Sequence, residues 1–306
     1  FSSRRRHTRY ISVTGVQTCA LPIYNTSTES SRLDKKPYII TNDQRLAGDS
    51  IFYFRNRHYG LIRGHVAISD STGDGLLTGE KAEYWEKGEL SIISGNPQYR
   101  HFLKKDTFLI AADTFYAWAD PKGTDRILRA WYNCRFIKKE LQGKCDSITY
   151  TTTDSVMLLH NQPIIWEKEM QLTADKIRII TGKKTLKKFE LTDKAFIITK
   201  KDSINFDQLS GKFVEGFFEK DTLKNIFIKG NVQALYFVEQ KKKIIAMNKT
   251  ECSEIRLING KDKIKEITFL KKPKAEIIPI KDIKNENKYL RGFLWRENEK
   301  PYPKTP

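Results

Sequence analysis

Side chains able to do chemistry are few and scattered. Beyond residue 23 the histidines are His58, His65, His101 and His160. They form neither an H-E-x-x-H motif nor another pair at metal-ligand spacing, so they read as turn and surface residues. There is no phosphate-cradling glycine loop and no G-x-S-x-G nucleophile turn. Asp70-Ser-Thr-Gly-Asp74-Gly75 brushes against a calcium-loop pattern, but the position for a closing bidentate Glu is Lys81. Strand patterns also replace the flanking helices, so a hairpin turn is expected. Three cysteines lie beyond residue 23: Cys134, Cys145 and Cys252. Cys134 and Cys145 could face each other on adjacent strands, bonded as a disulfide in an oxidising compartment or reduced as small buried residues. No carboxylate pair or histidine cluster recurs, so the expectation is no enzyme, no metal and no cofactor.

The remaining distinctive side chains are aromatic and basic. Trp85, Trp118, Trp131 and Trp166 recur with Tyr53, Tyr84, Tyr116 and Tyr150. A single-strand nucleic-acid binder interleaves aromatics with basic residues on one face. Here the aromatics fall at the end of the same strand in each unit, as core or wall-lining residues do. The 306-residue chain has 55 basic and 37 acidic side chains, net +18. The first 23 residues hold four arginines (Arg4, Arg5, Arg6, Arg9) and no acid, and setting them aside leaves +14. Such a balance permits anionic partners: nucleic acid, membrane surface or glycolipid. The lysines are dispersed between apolar positions, which fits solvated sheet faces and charged edges better than a binding stripe. No stretch approaches the ~20 apolar residues of a spanning helix.

What positions these residues is a repeat. Leu46-Ala-Gly-Asp-Ser-Ile-Phe-Tyr53 returns as Leu77-Thr-Gly-Glu-Lys-Ala-Glu-Tyr84, as Leu109 to Tyr116, as Leu141 to Tyr150 and as Leu172 to Ile179. Weaker copies begin at Leu209 and near Met247. The leading positions are separated by 31, 32, 32, 31, 37 and 38 residues. A period of this size marks units that stack to share one core. Alternating β-branched and aromatic runs fill the units, as in Ala195-Phe-Ile-Ile198 and Ile264-Lys-Glu-Ile267-Thr-Phe269. Turns are expected at Gly64-His65, Gly95-Asn96-Pro97, Tyr132-Asn133, Asn161-Gln162-Pro163, Thr192-Asp193-Lys194, Gly230-Asn231 and Lys272-Pro273. Gly48, Gly79, Gly143 and Gly211, with Ala111 and Ala174, form a small-residue position suited to a tight bend. The expected fold is all-β: an elongated jelly-roll sandwich of about 14 or more strands.

The ends read differently. Back-translation of Val13 to Ile23 resembles a short-read sequencing adapter, and the Arg-rich stretch before it resembles the same origin. Residues 1–23 are therefore expected to be non-native and without structure, and any export signal to be missing. Residues 24–40 read as a lead-in, 41–280 as the β region with room for two consecutive modules, and 281–306 as a polar, Pro-containing tail. Leu290-Arg-Gly-Phe-Leu-Trp295 could form a short capping segment within that tail.

Three stretches carry a family resemblance: Leu141-Gln-Gly-Lys-Cys-Asp-Ser-Ile-Thr-Tyr150, Asn161-Gln-Pro-Ile-Ile-Trp166 and Gln171-Leu-Thr-Ala-Asp-Lys-Ile177. They resemble the OstA/LptA-like lipopolysaccharide-transport family, in the form called OstA-like protein in Bacteroidota. Leu77 to Tyr84 and Phe227-Ile-Lys-Gly-Asn-Val232 share the pattern, and the resemblance spans about Leu46 to Ile280. It implies a β-taco jelly roll, V-shaped in section and not an enzyme, that holds lipid A acyl chains between its walls. It also implies a periplasmic location with possible outer-membrane association, lipopolysaccharide as ligand and head-to-tail self-association. Other transport proteins would join through edge-strand β-augmentation, and nucleic acid is not among the partners. The groove residues expected on this reading are Tyr53, Ala82, Tyr84, Tyr116, Tyr150, Ile177 and Ile179. A competing reading, from charge alone, is a basic β-repeat scaffold for nucleic acid or surface polysaccharide, with steeply salt-dependent affinity.

Overall fold

A computed structural model describes residues 17–18, 23–40, 44–70, 73–87, 90–103, 106–119, 126–139, 141–151, 155–182, 185–219, 222–241, 243–260 and 264–301. Among these residues the chain is β-strand with four single-turn 3₁₀ segments. The strands in chain order begin β1 (Gln17–Thr18), β2 (Ile23–Asn25), β3 (Ser30–Asp34), β4 (Tyr38–Ile40), β5 (Gln44–Ala47), β6 (Ser50–Phe54), β7 (Tyr59–Asp70) and β8 (Gly75–Trp85). There follow β9 (Leu90–Ser94), β10 (Gln98–Leu103), β11 (Asp106–Ala111), β12 (Thr114–Ala119), β13 (Arg126–Lys138), β14 (Leu141–Thr151), β15 (Val156–His160) and β16 (Ile164–Glu167). The last are β17 (Met170–Thr173), β18 (Lys176–Thr181), β19 (Leu186–Lys200), β20 (Phe206–Glu219), β21 (Thr222–Gln240), β22 (Lys243–Asn259), β23 (Ile264–Leu270) and β24 (Lys274–Pro279).

All pairings are antiparallel and resolve into two walls. One wall runs β2-β3-β6-β7-β8-β9-β12-β13-β14-β15-β18-β19-β20-β21-β22-β23. The other runs β1-β4-β5-β7-β8-β10-β11-β13-β14-β16-β17-β19-β20-β21-β22-β24. Below they are wall A and wall B. The eight long strands β7, β8, β13, β14 and β19 to β22 belong to both, one half in each. The walls therefore join along a seam that the chain crosses at every pass. At the C-terminal end β23 and β24 each pair on one side only, as do β2 and β1 at the other end.

Two kinds of corner build the seam. One is a pair of consecutive residues with positive φ: Lys35-Lys36, Gly64-His65, Gly95-Asn96, Tyr132-Asn133, Asn161-Gln162, Asp193-Lys194, Gly230-Asn231 and Lys271-Lys272. These are the expected turns, plus one at Lys35 that the sequence pattern did not single out. Where Pro37, Pro97, Pro163 or Pro273 follows, the strand ends, because proline has no N–H to continue the ladder. Where none follows, one long strand runs through the corner with a register shift, as between Arg63 and Val66 or Thr192 and Ala195.

The other corner centres on Asp49, Glu80, Asp113, Asp146, Asp175, Lys212 and Ser253. Asp49 N–H donates to Arg63 O and Gly64 O (3.0 and 2.9 Å), and Asp175 N–H donates to Asp193 O (2.9 Å). Several carboxylates clasp the facing corner: Asp49 with His65 (2.8 Å), Asp113 with Asn133 (2.8 Å) and Asp175 with Lys194 (3.2 Å). The residue before each is small: Gly48, Gly79, Ala112, Cys145, Ala174, Gly211 and Cys252. At Gly48, Gly79 and Gly211 a Cβ would sit 2.3, 2.8 and 2.6 Å from the Cγ2 of Ile62, Ile93 and Ile228. The bend is thus a close approach of backbone to the first core layer. The expected members Ala111 and Gly143 are displaced from this position by one and two residues. Cys145 occupies it instead of Gly143.

The lead-in and the tail are both parts of the fold. Leu33 on β3 is buried and starts the core. Of residues 1–23, Gln17–Thr18 and Ile23 are described, and they pair at the N-terminal edges. The strand ladder is continuous from there to β24. Beyond Pro279 the chain does not trail off: residues 280–301 form a strap across the outer face of wall B. Leu290 is buried there with Phe196, Ile198, Phe206, Leu235, Phe237 and Met247, and Phe293 and Trp295 pack on the same cluster. Two buried glutamines grip the strap by backbone-like pairing. Gln208 donates to Lys288 O and accepts from Leu290 N–H, both at 2.8 Å. Gln171 donates to Leu294 O and accepts from Arg296 N–H, also at 2.8 Å. Ion pairs Lys200–Glu297 (2.9 Å) and Lys144–Glu299 close it.

Candidate ligand cleft

Between the walls lies a cleft lined by side chains that cross-strand register puts in rows. On wall A the row beside the seam runs Leu33, Ile51, Ile62, Ala82, Ile93, Phe115, Ala130, Ile148, Leu159, Ile177, Leu191, Val214, Ile228, Ile255 and Phe269, each residue the direct partner of the next. Every member is apolar, and all but Phe269 are buried. Period-2 alternation places a second row two residues further from the seam. It contains Tyr53, Gly60, Tyr84, Ser91, Ala117, Leu128, Tyr150, Met157, Ile179, Phe189, Gly216, Ile226 and Leu257. Wall B answers with Ile39, Leu46, Ile68, Leu77, Tyr99, Ile110, Phe136, Gly143, Ile165, Leu172, Ile197, Leu209 and Ala234.

Six of the seven expected groove residues lie on this inner face. Ala82 and Ile177 sit in the row beside the seam, and Tyr53, Tyr84, Tyr150 and Ile179 in the next. Tyr84 is 39% exposed at the mouth, and Tyr53 donates its hydroxyl to Glu86 at 2.5 Å. Burial, then the Glu86 bond, pushes the Tyr53 phenol up to about 12. Tyr116 does not join them. Its strand partners are Ile92 and Arg129, whereas Phe115 pairs with the core residues Ile93 and Ala130. The third unit has one more residue between its leading Leu and its corner (Leu109 to Asp113, against Leu77 to Glu80), and one residue flips the face. Ala117 holds the place expected for Tyr116.

The wall B lining was not singled out from the sequence, though its signal was present: the leading Leu46, Leu77, Leu172 and Leu209 of the repeat are themselves inner-row residues. The tryptophans lie on outer faces. Trp85 packs on Tyr59, Trp131 lies under the Arg129 guanidinium at 3.9 Å, and Trp166 is buried on the outer side of wall B. Trp118 shares the outer parity of Tyr116.

Around Leu141, Ile165, Met170 and Leu172 of wall B and Ile179, Leu186, Phe189 and Phe218 of wall A the facing side chains nearly meet. They enclose about 20 Å³, which admits a water and not an alkyl chain. Toward the C-terminal end the inner face of wall B turns polar. Thr250 donates to Asn248 at 2.6 Å, and Asp207 accepts from Phe237 N–H at 2.8 Å beside Lys201. Burial raises the Asp207 carboxyl to about 6. Tyr236 of wall B stacks on Phe269 of wall A at 6.4 Å, tying the walls together there.

Cys134 and Cys145 are direct cross-strand partners, and both thiols are free and buried. The Cys134 neighbour, then burial, raises the Cys145 thiol well above its ordinary range. The histidines are dispersed: His65 binds Asp49, His58 binds Glu86 (2.7 Å) and His160 contacts Thr149 (3.2 Å). Among the described residues no three metal-ligating side chains come together, and no helix is long and apolar enough to cross a membrane. Asp70 and Gly75 end and begin the hairpin strands β7 and β8; Ser71 and Thr72 between them lie outside the described residues.

The fold is thus an all-β antiparallel jelly roll enclosing an apolar cleft. No protein-family model matches the chain, and no curated protein matches it. Among solved structures the chain is similar to LptH, the LptA homologous periplasmic component of the conserved lipopolysaccharide transport device from Pseudomonas aeruginosa. The two are 18% identical over 39% of this chain and 82% of that one, with a TM-score of 0.34. That degree of likeness decides nothing about function.

Proposed function

We propose that this protein is a non-enzymatic, periplasmic lipid-binding protein of lipopolysaccharide transport, holding lipid A acyl chains between its walls. The observation that carries the reading is the apolar row beside the seam, unbroken along wall A from Leu33 to Phe269 and faced by the row on wall B. Burying an alkyl chain against such a surface is worth ~0.8 kcal/mol per CH₂. Because the middle of the cleft is closed, binding requires the walls to part at the side opposite the seam. The one-sided strands β23 and β24 support docking of other transport proteins, or of a second copy, by β-augmentation. A net charge of +14 beyond residue 23 favours a phosphorylated, anionic ligand.

Neighbouring residues provide the test. Ile179 faces the cleft and Arg178 the outer surface, where it pairs with Glu190 at 2.8 Å. A photocrosslinker at Ile179 or Tyr84 should capture lipopolysaccharide, and one at Arg178 should not. Ile179→Asp should abolish capture from Tyr84 while the β circular-dichroism signal persists. Equal labelling at 178 and 179 would sink the proposal. Binding that collapses with salt and ignores acyl chains would favour a charge-driven scaffold instead.

A further inference from the structure

On the outer side of wall B, away from the cleft, a hollow opens between the seam corners of β13 and β14 and the end of the strap. Its volume is about 360 Å³, and Arg135, Lys144, Asp146, Asn161, Gln162 and Arg296 are among its lining residues. Three of these are permanent cations. Arg135 and Lys144 are direct cross-strand partners, so their side chains leave the sheet on the same face. Arg296 arrives from the strap, 152 residues away in sequence from Lys144.

The charges nearby do not balance. Glu299 takes both oxygens' worth of partners from the strap and the wall: Arg296 Nε at 2.6 Å, Arg296 Nη2 at 2.7 Å, and Lys144. These contacts, the Arg296 bond first, hold its carboxyl down at about 2. Asp146 accepts from Asn161 at 3.3 Å. Arg135 is left exposed, with no hydrogen bond or ion pair among the described residues. The Gln162 amide, at a positive-φ corner, is likewise without a side-chain partner among them. Three cations (Arg135, Lys144, Arg296) face two carboxylates (Asp146, Glu299), so the hollow carries one surplus positive charge, that of an unpaired guanidinium, beside an unpaired amide. Glu299 already demonstrates that Lys144 and Arg296 converge on an oxyanion.

We propose that this hollow is an anion site, completed by the docked strap, that takes a phosphoryl group as inorganic phosphate or as a small phosphate monoester. Arg135 supplies the planar fork suited to two phosphate oxygens. Gln162 adds a neutral donor, and Lys144 and Arg296, shared with Glu299, border the far side. The site shares no lining residue with the cleft and does not depend on the lipid reading.

Isothermal titration of the full chain with inorganic phosphate tests it, with glycerol 3-phosphate as a second arm. Saturable one-to-one binding is expected. Arg135→Gln should weaken it at least tenfold, and Lys212→Gln, an exposed cation at another seam corner, should leave it unchanged. Arg135 is exposed, so its replacement leaves the fold intact; an unchanged melting temperature checks this. Binding of phosphate alone would assign the site to the free anion, and binding of both probes to a phosphate ester. Absence of saturable binding, or equal weakening by the two substitutions, would overturn the proposal.

Discussion

Asp207 is the most consequential single ionisable group in the cleft. Its carboxyl lies on the inner face of wall B, near Lys201 and Glu239, with Tyr236 beside it. Burial raises it to about 6 from an ordinary 3.8. A carboxyl raised on folding binds its proton more tightly in the native state. Its contribution to stability is complete below about pH 4 and is lost as pH rises through 6. Above that the buried carboxylate costs up to about 3 kcal/mol. Asp207→Asn keeps an acceptor for Phe237 N–H and removes the charge. The variant should be more stable than the parent at pH 7.5 by about 1–3 kcal/mol, and this gap should shrink toward pH 4. Urea unfolding at the two pH values measures it; a gap independent of pH would show that Asp207 is not titrating in the native state. The cysteines make a different residue-scale point. Cys145 and Cys252 fill the small-residue place of the corner that Gly48, Gly79 and Gly211 fill elsewhere.

The strap is the element that sequence pattern described least well. Its composition is polar, and it has no strand periodicity because it pairs with no strand. It is held instead by two side-chain amides, two ion pairs and a few large side chains. Gln208→Leu removes a bond in each direction and leaves Lys288 O and Leu290 N–H buried without partners. That should cost about 2–4 kcal/mol, read as a shift in the denaturant midpoint. It should also hasten proteolysis near Tyr289. A cost below about 0.5 kcal/mol would mean the strap only rests on the wall. The corners, by contrast, were written locally. Gly64-His65, Tyr132-Asn133 and Gly230-Asn231 adopt positive φ where glycine and asparagine tolerate it, and prolines decide whether a strand stops.

For the whole molecule the consequence of stacking is a gradient of stability. Each pass of chain touches its neighbours and little else, except where the strap spans several strands. Opening should therefore start at the free edges. Amide hydrogen exchange should be fastest in β2, β23 and β24, and slowest in β19 to β21, which are long and paired on both sides. Uniform protection from end to end would instead indicate one all-or-none unit. The same gradient bears on function, because the Tyr236–Phe269 stack and the strap brace the C-terminal half. Parting of the walls around a ligand would then begin nearer β6 to β12.

The sequence by itself determined the all-β class, the repeat and seven of the eight positive-φ corners. These are local matters: alternation, proline and glycine backbone chemistry, and a small residue at a bend. Only the tertiary structure decided that Tyr116 faces outward, that Leu46 and its repeats form the opposite wall, and that the polar C-terminal segment straps wall B. The physical reason is common to all three. Which face a strand residue presents depends on counting from a corner, and one inserted residue reverses it. Which surface a polar segment covers depends on partners such as Gln171 and Gln208, separated from it by 80 residues or more.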